Sequence, residues 1–464
     1  MDALAYLVAV VPFLLAIVLG LALALFLLAA YYRFGFGLAV LCIVFWLDAA
    51  GLSQPVLRLG VHVYVPDVPM VLLGFVALLR WLWRDDLPRR HSAWVLLALV
   101  FFAGLGFGLM RHGATAGVQA RPDFYAIAAA TYAMSFPIGT RQVRQLVHSL
   151  TVLSVALLVL CVYRWIVTFG PVPDLLPPGG TYNVGGPERV VGSSSAIVIA
   201  QTLLLGLFFG ASRLGAESAR WLSPLLLAGT LVLQHRSVWL AAIVGVLLSL
   251  LLARAQRAPL WQQLVLTGAV VFAAAVPVVF NQGLSEQVLT SATRALTGQD
   301  TVQARFANWR ATLEQWAGDG PRSIALGRLP GSDSVRSVVT ASGGTLRIAH
   351  DPHNYYVSAL TSYGMVGALA LAWVVVWTIG GLWRRARAHD EDASMSAALL
   401  VLLGMQWVYF IAYTVDYLQF VLLGVALAWV AQRESIGTVM PDEGPGTAAG
   451  SKADAPRRRG VATA

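Results

Sequence analysis

Residues 354–383 read NYYVSALTSYGMVGALALAWVVVWTIGGLW, without one acidic or basic side chain, and Arg384 and Arg385 follow at once. A helix rises about 1.5 Å per residue, so roughly 20 apolar residues cross the hydrocarbon core of a bilayer. The stretch is therefore read as a membrane helix. Outward from it the same signature recurs between Leu4 and Val430, giving approximate spans at 4–30, 34–51, 66–84, 92–110, 123–139, 146–169, 191–212, 221–234, 237–253, 261–280, 354–383, 395–413 and 415–432. Of the 464 residues 58% are hydrophobic and 12% charged, against about 45–50% and 25% in an ordinary soluble domain. That balance excludes a soluble enzyme, a disordered chain and a secreted disulfide scaffold. A transmembrane β-barrel would instead show short alternating segments. The expected fold is an all-α polytopic integral membrane protein with about 12–13 transmembrane helices. It divides into membrane helices over 1–280, a large, partly helical outer loop over 281–353, C-terminal membrane helices over 354–433, and a Gly-, Pro-, Ala- and Arg-rich tail over 434–464, expected to be disordered.

The net charge of +9 is carried almost wholly by arginine, Lys452 being the lone lysine. Short loops holding Arg33, Arg80 to Arg90, Arg141 and Arg144, Arg213 and Arg220, Arg254 and Arg257, and Arg384 to Arg387 alternate with the remaining loops along the chain. One orientation satisfies them all by the positive-inside rule, with the C-terminus cytoplasmic and the N-terminus outside if all the spans are real. The outer face then receives loop 111–122, the Pro/Gly-rich stretch 170–190, the tight turn Gln234–Ser237 and segment 281–353, which carries seven arginines and six acids. Helical patterning at ARFANWRATLEQW (304–316) suggests that this last segment folds as a cap. Cys42 and Cys161 sit inside apolar runs and read as inert buried thiols. The first apolar run, Leu4 to Ala30, is too long for a signal peptide and reads as a retained helix.

Arginine at a membrane boundary normally anchors the cytoplasmic side. Arg189, Arg236 and Arg305 fall on the other side, at or beside span ends. A charge at membrane depth costs about 2.5–3.5 kcal/mol or more, so Arg236, in a turn between two apolar helices, needs a reason. Either it snorkels to outer headgroups or pairs with a local acid, or it binds an anion in a cavity, as paired guanidinium–phosphate hydrogen bonds allow. Arg164, near the outer end of its span, can line the same cavity. His353 opens the span after the long loop, in His350-Asp351-Pro352-His353-Asn354-Tyr355-Tyr356. With Asp351 near a helix cap, His353 would face the outer mouth, and an imidazole near its ordinary value of about 6.5 takes a proton at neutral pH. A capping or packing histidine is the plainer alternative. Asn354 can orient His353 or a substrate hydroxyl. His350, Asp351 and His353 are all metal-ligand types, but no further spaced ligand set accompanies them, and no metal or other cofactor is inferred. No nucleotide or nucleic-acid motif occurs.

Several of these residues together carry a resemblance. Arg189-Val190-Val191-Gly192 opens a span. Gln234-His235-Arg236-Ser237-Val238-Trp239-Leu240-Ala241 forms a turn, Arg305 and Trp309 lie in the outer loop, and His353-Asn354 precedes Tyr363-Gly364 and Gly367. In this order they resemble the O-antigen ligase and polymerase superfamily of bacterial membrane glycosyltransferases, comprising O-antigen ligases and Wzy-type polysaccharide polymerases. The chain departs from the family's usual Ser at His235 and usual Gly at Ser237. The resemblance implies a multi-pass protein of the bacterial inner membrane with its active site facing the periplasm. The implied donor is a glycan on undecaprenyl pyrophosphate, and the acceptor is another glycan or lipid A-core. Membrane lipids, and a chain-length regulator in the polymerase case, are the further implied partners.

Residue chemistry suits that reaction. Arg189, Arg236 and Arg305 would neutralise the pyrophosphate leaving group, and His353 would be the general base of a single inverting displacement. Trp309 and Trp316 would contact glycan. The wording HNYYVSAL (353–360) resembles polymerases more than ligases. A lipid-linked sugar transporter is the alternative of another class. It would favour polar residues at the membrane midplane, whereas the charged candidates here gather at one face.

Overall fold

The computed structural model describes residues 25–53, 55–58, 62–83, 92–169, 172–176, 190–209, 217–252, 268, 299–332, 336–339, 345–348, 352–388 and 392–437. Its helices are α1 (Leu25–Tyr31), α2 (Phe34–Ala49), α3 (Asp67–Trp83), α4 (Ser92–His112), α5 (Ala114–Met134), α6 (Thr140–Phe169), α7 (Ser193–Phe209), α8 (Glu217–Val232), α9 (Arg236–Leu252), α10 (Gln299–Gly318), α11 (Pro321–Leu326), α12 (Tyr355–Ala386), α13 (Ala393–Tyr409) and α14 (Tyr417–Gly437). The chain is an all-α polytopic membrane protein. Every expected span other than 4–30 and 261–280 falls on one of these helices. Those two, apart from residues 25–30 and Gly268, lie outside the described residues, as does the tail beyond Gly437.

By length and apolarity alone, three described helices cross a bilayer: Ser92–His112, Thr140–Thr168 and Tyr355–Ala386, joined by a fourth span if α1 and α2, bent by 99° to each other, count as one. This is fewer than the 12–13 expected. Spans 4–30 and 261–280 lie mostly outside the described residues, and α3, α7, α8, α9 and α13 have 16 or 17 residues, a 17-residue helix measuring about 25 Å against a core of about 30 Å. α7 is buried from Ser195 to Phe209 without interruption, so it is a central strut of the bundle.

Polar cross-links lock that centre. Gln201 on α7 and Gln419 on α14 exchange amide hydrogen bonds at 2.8 and 3.0 Å, and Gln201 also donates to the Leu402 carbonyl on α13 at 3.3 Å. Ser154 on α6 meets Thr202 at 2.8 Å, and Trp429 donates to Ser396 at 2.9 Å. In an apolar interior such bonds specify register, because a slipped helix would leave amides unsatisfied.

The expected loop 111–122 is corrected. α4 runs to His112 and α5 starts at Ala114, so only Gly113 separates them. Arg121 lies inside α5 because tertiary partners accept it: it pairs with Asp67 at 3.2 Å and donates to the His62 carbonyl at 2.8 Å, and Tyr125 also donates to Asp67. Two short hairpins were not anticipated. β1 (Pro55–Arg58) pairs with β2 (His62–Tyr64), and β3 (Arg336–Val339) pairs antiparallel with β4 (Thr345–Ile348), Arg336 opposite Ile348. Segment 281–353 is thus helical over α10 and α11 and extended at β3 and β4.

α12 bends at Gly364, whose φ is +65°. The bend admits α11. A Cβ on Gly364 would collide with the Ala325 carbonyl, and one on Gly327 (φ +78°) would collide with Ser362. Arg328 N–H donates to the Thr361 carbonyl at 2.8 Å in the same contact. Gly364→Ala is expected to destabilise the protein by at least about 2 kcal/mol, from the left-handed backbone and the overpacking together. The check is thermal unfolding with limited proteolysis: the 299–332 region should be cut faster, and an unchanged cleavage rate would refute the docking role.

Candidate active site

The first turn of α12 is built around His353. Asn354 is the N-cap, its side-chain oxygen accepting from Val357 N–H at 3.0 Å. Asn354 is 6% exposed; Asp351, expected near this cap, lies with His350 and Arg189 outside the described residues. Tyr355 N–H donates to both the Phe410 and Tyr413 carbonyls at 3.0 Å. On the other side, the indole N–H of Trp309 donates to the Pro352 carbonyl at 2.7 Å. The backbone is therefore clamped on both sides of His353, which is exposed and adopts φ +48°.

A left-handed conformation at a non-glycine residue costs on the order of 1 kcal/mol. Among the described residues only Gln234 (φ +51°) shares it with His353, and Gln234 opens the turn into Arg236. Both strained residues thus fall at the two turns singled out from the sequence. Such strain persists where surrounding contacts over-determine it, as they do at functional sites.

The Gln234 turn is held from the other direction. His235 is 7% exposed, and its Nε2–H donates to the Val191 carbonyl at 3.1 Å. Trp239 donates across the turn to the Thr230 carbonyl at 2.8 Å. Arg236, half-buried, is the first residue of α9. A cation there opposes the helix dipole, so the helix itself gains nothing from it. Arg80 offers the contrast: it is 5% exposed in the last turn of α3, donates to the Ser135 carbonyl at 3.0 Å and lies 3.9 Å over the Phe136 ring. That arginine is a structural element.

A run of contacts joins the two turns. Arg305 on α10 lies over the Tyr413 ring at 5.7 Å. Tyr413 stacks on Tyr409 with centroids 4.7 Å apart. The Tyr409 hydroxyl lies 3.1 Å from the Ser193 hydroxyl at the start of α7, two residues from the Val191 carbonyl that holds His235. Arg305, Trp309, His353 and the Arg236 turn therefore share one end of the bundle. Tyr409 and Tyr413 were not anticipated; their i, i+4 spacing at a helix end was the available signal.

Two expected residues stand differently. Arg164 is engaged by Asp174 at 2.8 Å and the Ala50 carbonyl at 3.0 Å, on the side of the C-terminus of α2. Trp316 donates its indole N–H to the Ser323 carbonyl at 3.0 Å, pinning α11 to α10. The N–H groups of Trp309 and Trp316 are thus both used within the chain, and a glycan would meet their rings.

Beside Pro352 and Tyr355 is a cavity of about 110 Å³, lined by Gln119, Asp123, Thr312, Arg328, Ser358 and Thr414 among others. The Ser358 hydroxyl has no hydrogen-bond partner among the described residues. A wall of hydroxyls, an amide, a carboxylate and a guanidinium matches the donor and acceptor pattern of a sugar.

Residues 221–372 match the family model described as O-antigen ligase. The matched stretch runs from α8 through the Gly364 bend of α12 and contains Arg236, Arg305, Trp309, Trp316, His353 and Asn354. No curated protein matches the chain. The match supports a glycosyltransferase activity of the ligase or polymerase type, acting on lipid-linked glycan and acceptor substrates. Over residues 221–372 the chain is similar to the O-antigen ligase family.

Proposed function

We propose that the protein is a metal-independent inverting glycosyltransferase that takes its donor glycan from undecaprenyl pyrophosphate at the periplasmic face of the bacterial inner membrane, polymerising polysaccharide repeat units. The acceptor hydroxyl oxygen attacks the anomeric carbon of the donor. The bond from that carbon to the pyrophosphate oxygen breaks, and its electron pair leaves with the pyrophosphate. His353 accepts the hydroxyl proton and releases it to water. Arg236 and Arg305, with Arg189, hold the leaving anion, where charge-assisted hydrogen bonds stabilise the developing charge. Asn354 supports the turn that presents His353.

The observation that carries this reading is the run of contacts from Trp309 and Arg305 through Tyr413 and Tyr409 to the Arg236 turn. It supports one shared site for base and anion. A ligase is the second reading, favoured by the description of the matched family. It would use the same residues and move the glycan to lipid A-core.

Purified protein in lipid nanodiscs, given an undecaprenyl-pyrophosphate-linked single repeat unit, should yield a ladder of longer products. Transfer that occurs only when lipid A-core is added would identify a ligase instead. Donor moved across the bilayer without chemical change would replace the enzyme reading by a transporter.

A further inference from the structure

We propose that a second polyprenyl-diphosphate-linked glycan, the acceptor, docks with its phosphates in the groove between α4, α10 and α11. Arg111, His112 and Arg322 would hold it there, and its sugar would run past Arg328 and Ser332 to the cavity beside His353. The proposal rests on the polymerase reading, in which both substrates carry a lipid diphosphate and two anion sites are required.

The groove has a volume of about 640 Å³. Val100 and Phe107 of α4 line it on one side, and Arg111, His112 and Arg322 also border it. These three side chains are exposed, and among the described residues neither arginine has an ion-pair partner. Arg328, by contrast, is paired with Asp319. Arg111 alone would read as an interfacial anchor in the last turn of α4. Arg322 comes from a different element, and nothing in its own short helix calls for it. Asp319 also lines the groove and is paired with Arg328, so two helices bring to one hollow two arginines without an ion-pair partner among the described residues, an arrangement suited to a doubly charged anion.

The surface beside the groove suits a hydrocarbon chain. Leu99 and Met110 of α4, next in sequence to the groove-lining Val100 and Arg111, are 61% and 83% exposed. A ligand with a phosphate head and a long prenyl tail matches both features, as a soluble phosphate would not. The groove also leads somewhere. Arg328, Leu329 and Ser332 line both it and the hydroxyl-rich cavity at Pro352 and Tyr355. A sugar attached to a phosphate in the groove therefore has a polar route to the cavity lined by Pro352 and Tyr355, the residues flanking His353-Asn354. Of the proposed donor arginines, Arg305 lies over Tyr413.

The test is native mass spectrometry of the full-length protein in phosphatidylcholine nanodiscs loaded with undecaprenyl diphosphate. Two bound molecules are expected for the wild type, and one for the variant carrying R111Q and R322Q. One is also expected for the variant carrying R236A and R305A. Two molecules retained by the R111Q and R322Q variant would overturn the proposal, as would a single molecule on the wild type. Displacement of the second molecule by an equal amount of phosphatidylglycerol would also overturn it, since the groove would then be an unselective lipid contact. If R236A and R305A leave two molecules bound while R111Q and R322Q leave one, the donor assignment fails and the groove stands. In turnover assays R111Q and R322Q should raise KM for the lipid-linked acceptor at least about tenfold, the worth of one charge-assisted hydrogen bond. The donor KM should not change.

Discussion

Replacing His353 by alanine should lower turnover by at least about 10²-fold, the smaller end of what a general base contributes. Donor binding should be little changed, because the proposed anion contacts come from arginines on other elements. The backbone complicates the alanine variant. His353 sits at φ +48°, and alanine tolerates that region less well than histidine does. His353→Asn removes the imidazole while keeping a residue type at home in left-handed backbone. The two variants should therefore lose the same turnover, with the asparagine variant the more stable to heat. Near-normal product from both would remove the base assignment. Activity lost in the alanine variant but kept in the asparagine variant would make His353 a backbone element of the α12 cap.

Arg236→Ala should weaken donor affinity by about ten- to a hundredfold, since a hydrogen bond to a charged group is worth about 1.5–3 kcal/mol and 1.4 kcal/mol is tenfold. Arg236→Lys should recover part of the charge effect without the paired geometry of the guanidinium. The loss should fall on the donor KM first, and on kcat to the extent that the contact tightens on the leaving anion. Stability is not expected to fall for want of the charge on α9, because a cation at a helix N-terminus is unfavourable there. Unchanged donor affinity and turnover would show that Arg236 is an interfacial anchor.

Much of the fold was legible because apolar runs report directly on the solvent a helix faces. The spans at 66–84 and 92–110 land on α3 and α4 within two residues at each end. Legibility failed where a tertiary partner changed the meaning of a charge. Arg121 read as a loop residue, yet it continues α5, held by Asp67 and the His62 carbonyl. Asn354 read as a residue that orients His353 or a substrate hydroxyl, and the structure makes it the N-cap of α12. In the candidate site, arginine, histidine and tryptophan were visible as chemistry out of place at a membrane boundary. Tyr409 and Tyr413 were not, since tyrosine near a helix end is ordinary at a membrane interface. Strain at Gln234 and His353 leaves no mark in composition or periodicity.

The sequence by itself determined that the chain is a helical membrane protein and that His353 stands just before a long apolar helix. These are local properties, set by transfer free energies summed over a single segment. Only the tertiary structure decided that Arg305, Trp309, His353 and the Arg236 turn share one end of the bundle, that Arg164 is taken up by Asp174, and that Arg111 and Arg322 border a common groove. Those placements depend on helices remote along the chain, joined through contacts such as Gln201 with Gln419 and Ser193 with Tyr409. Packing between distant segments is a pairwise property, and no single segment carries it.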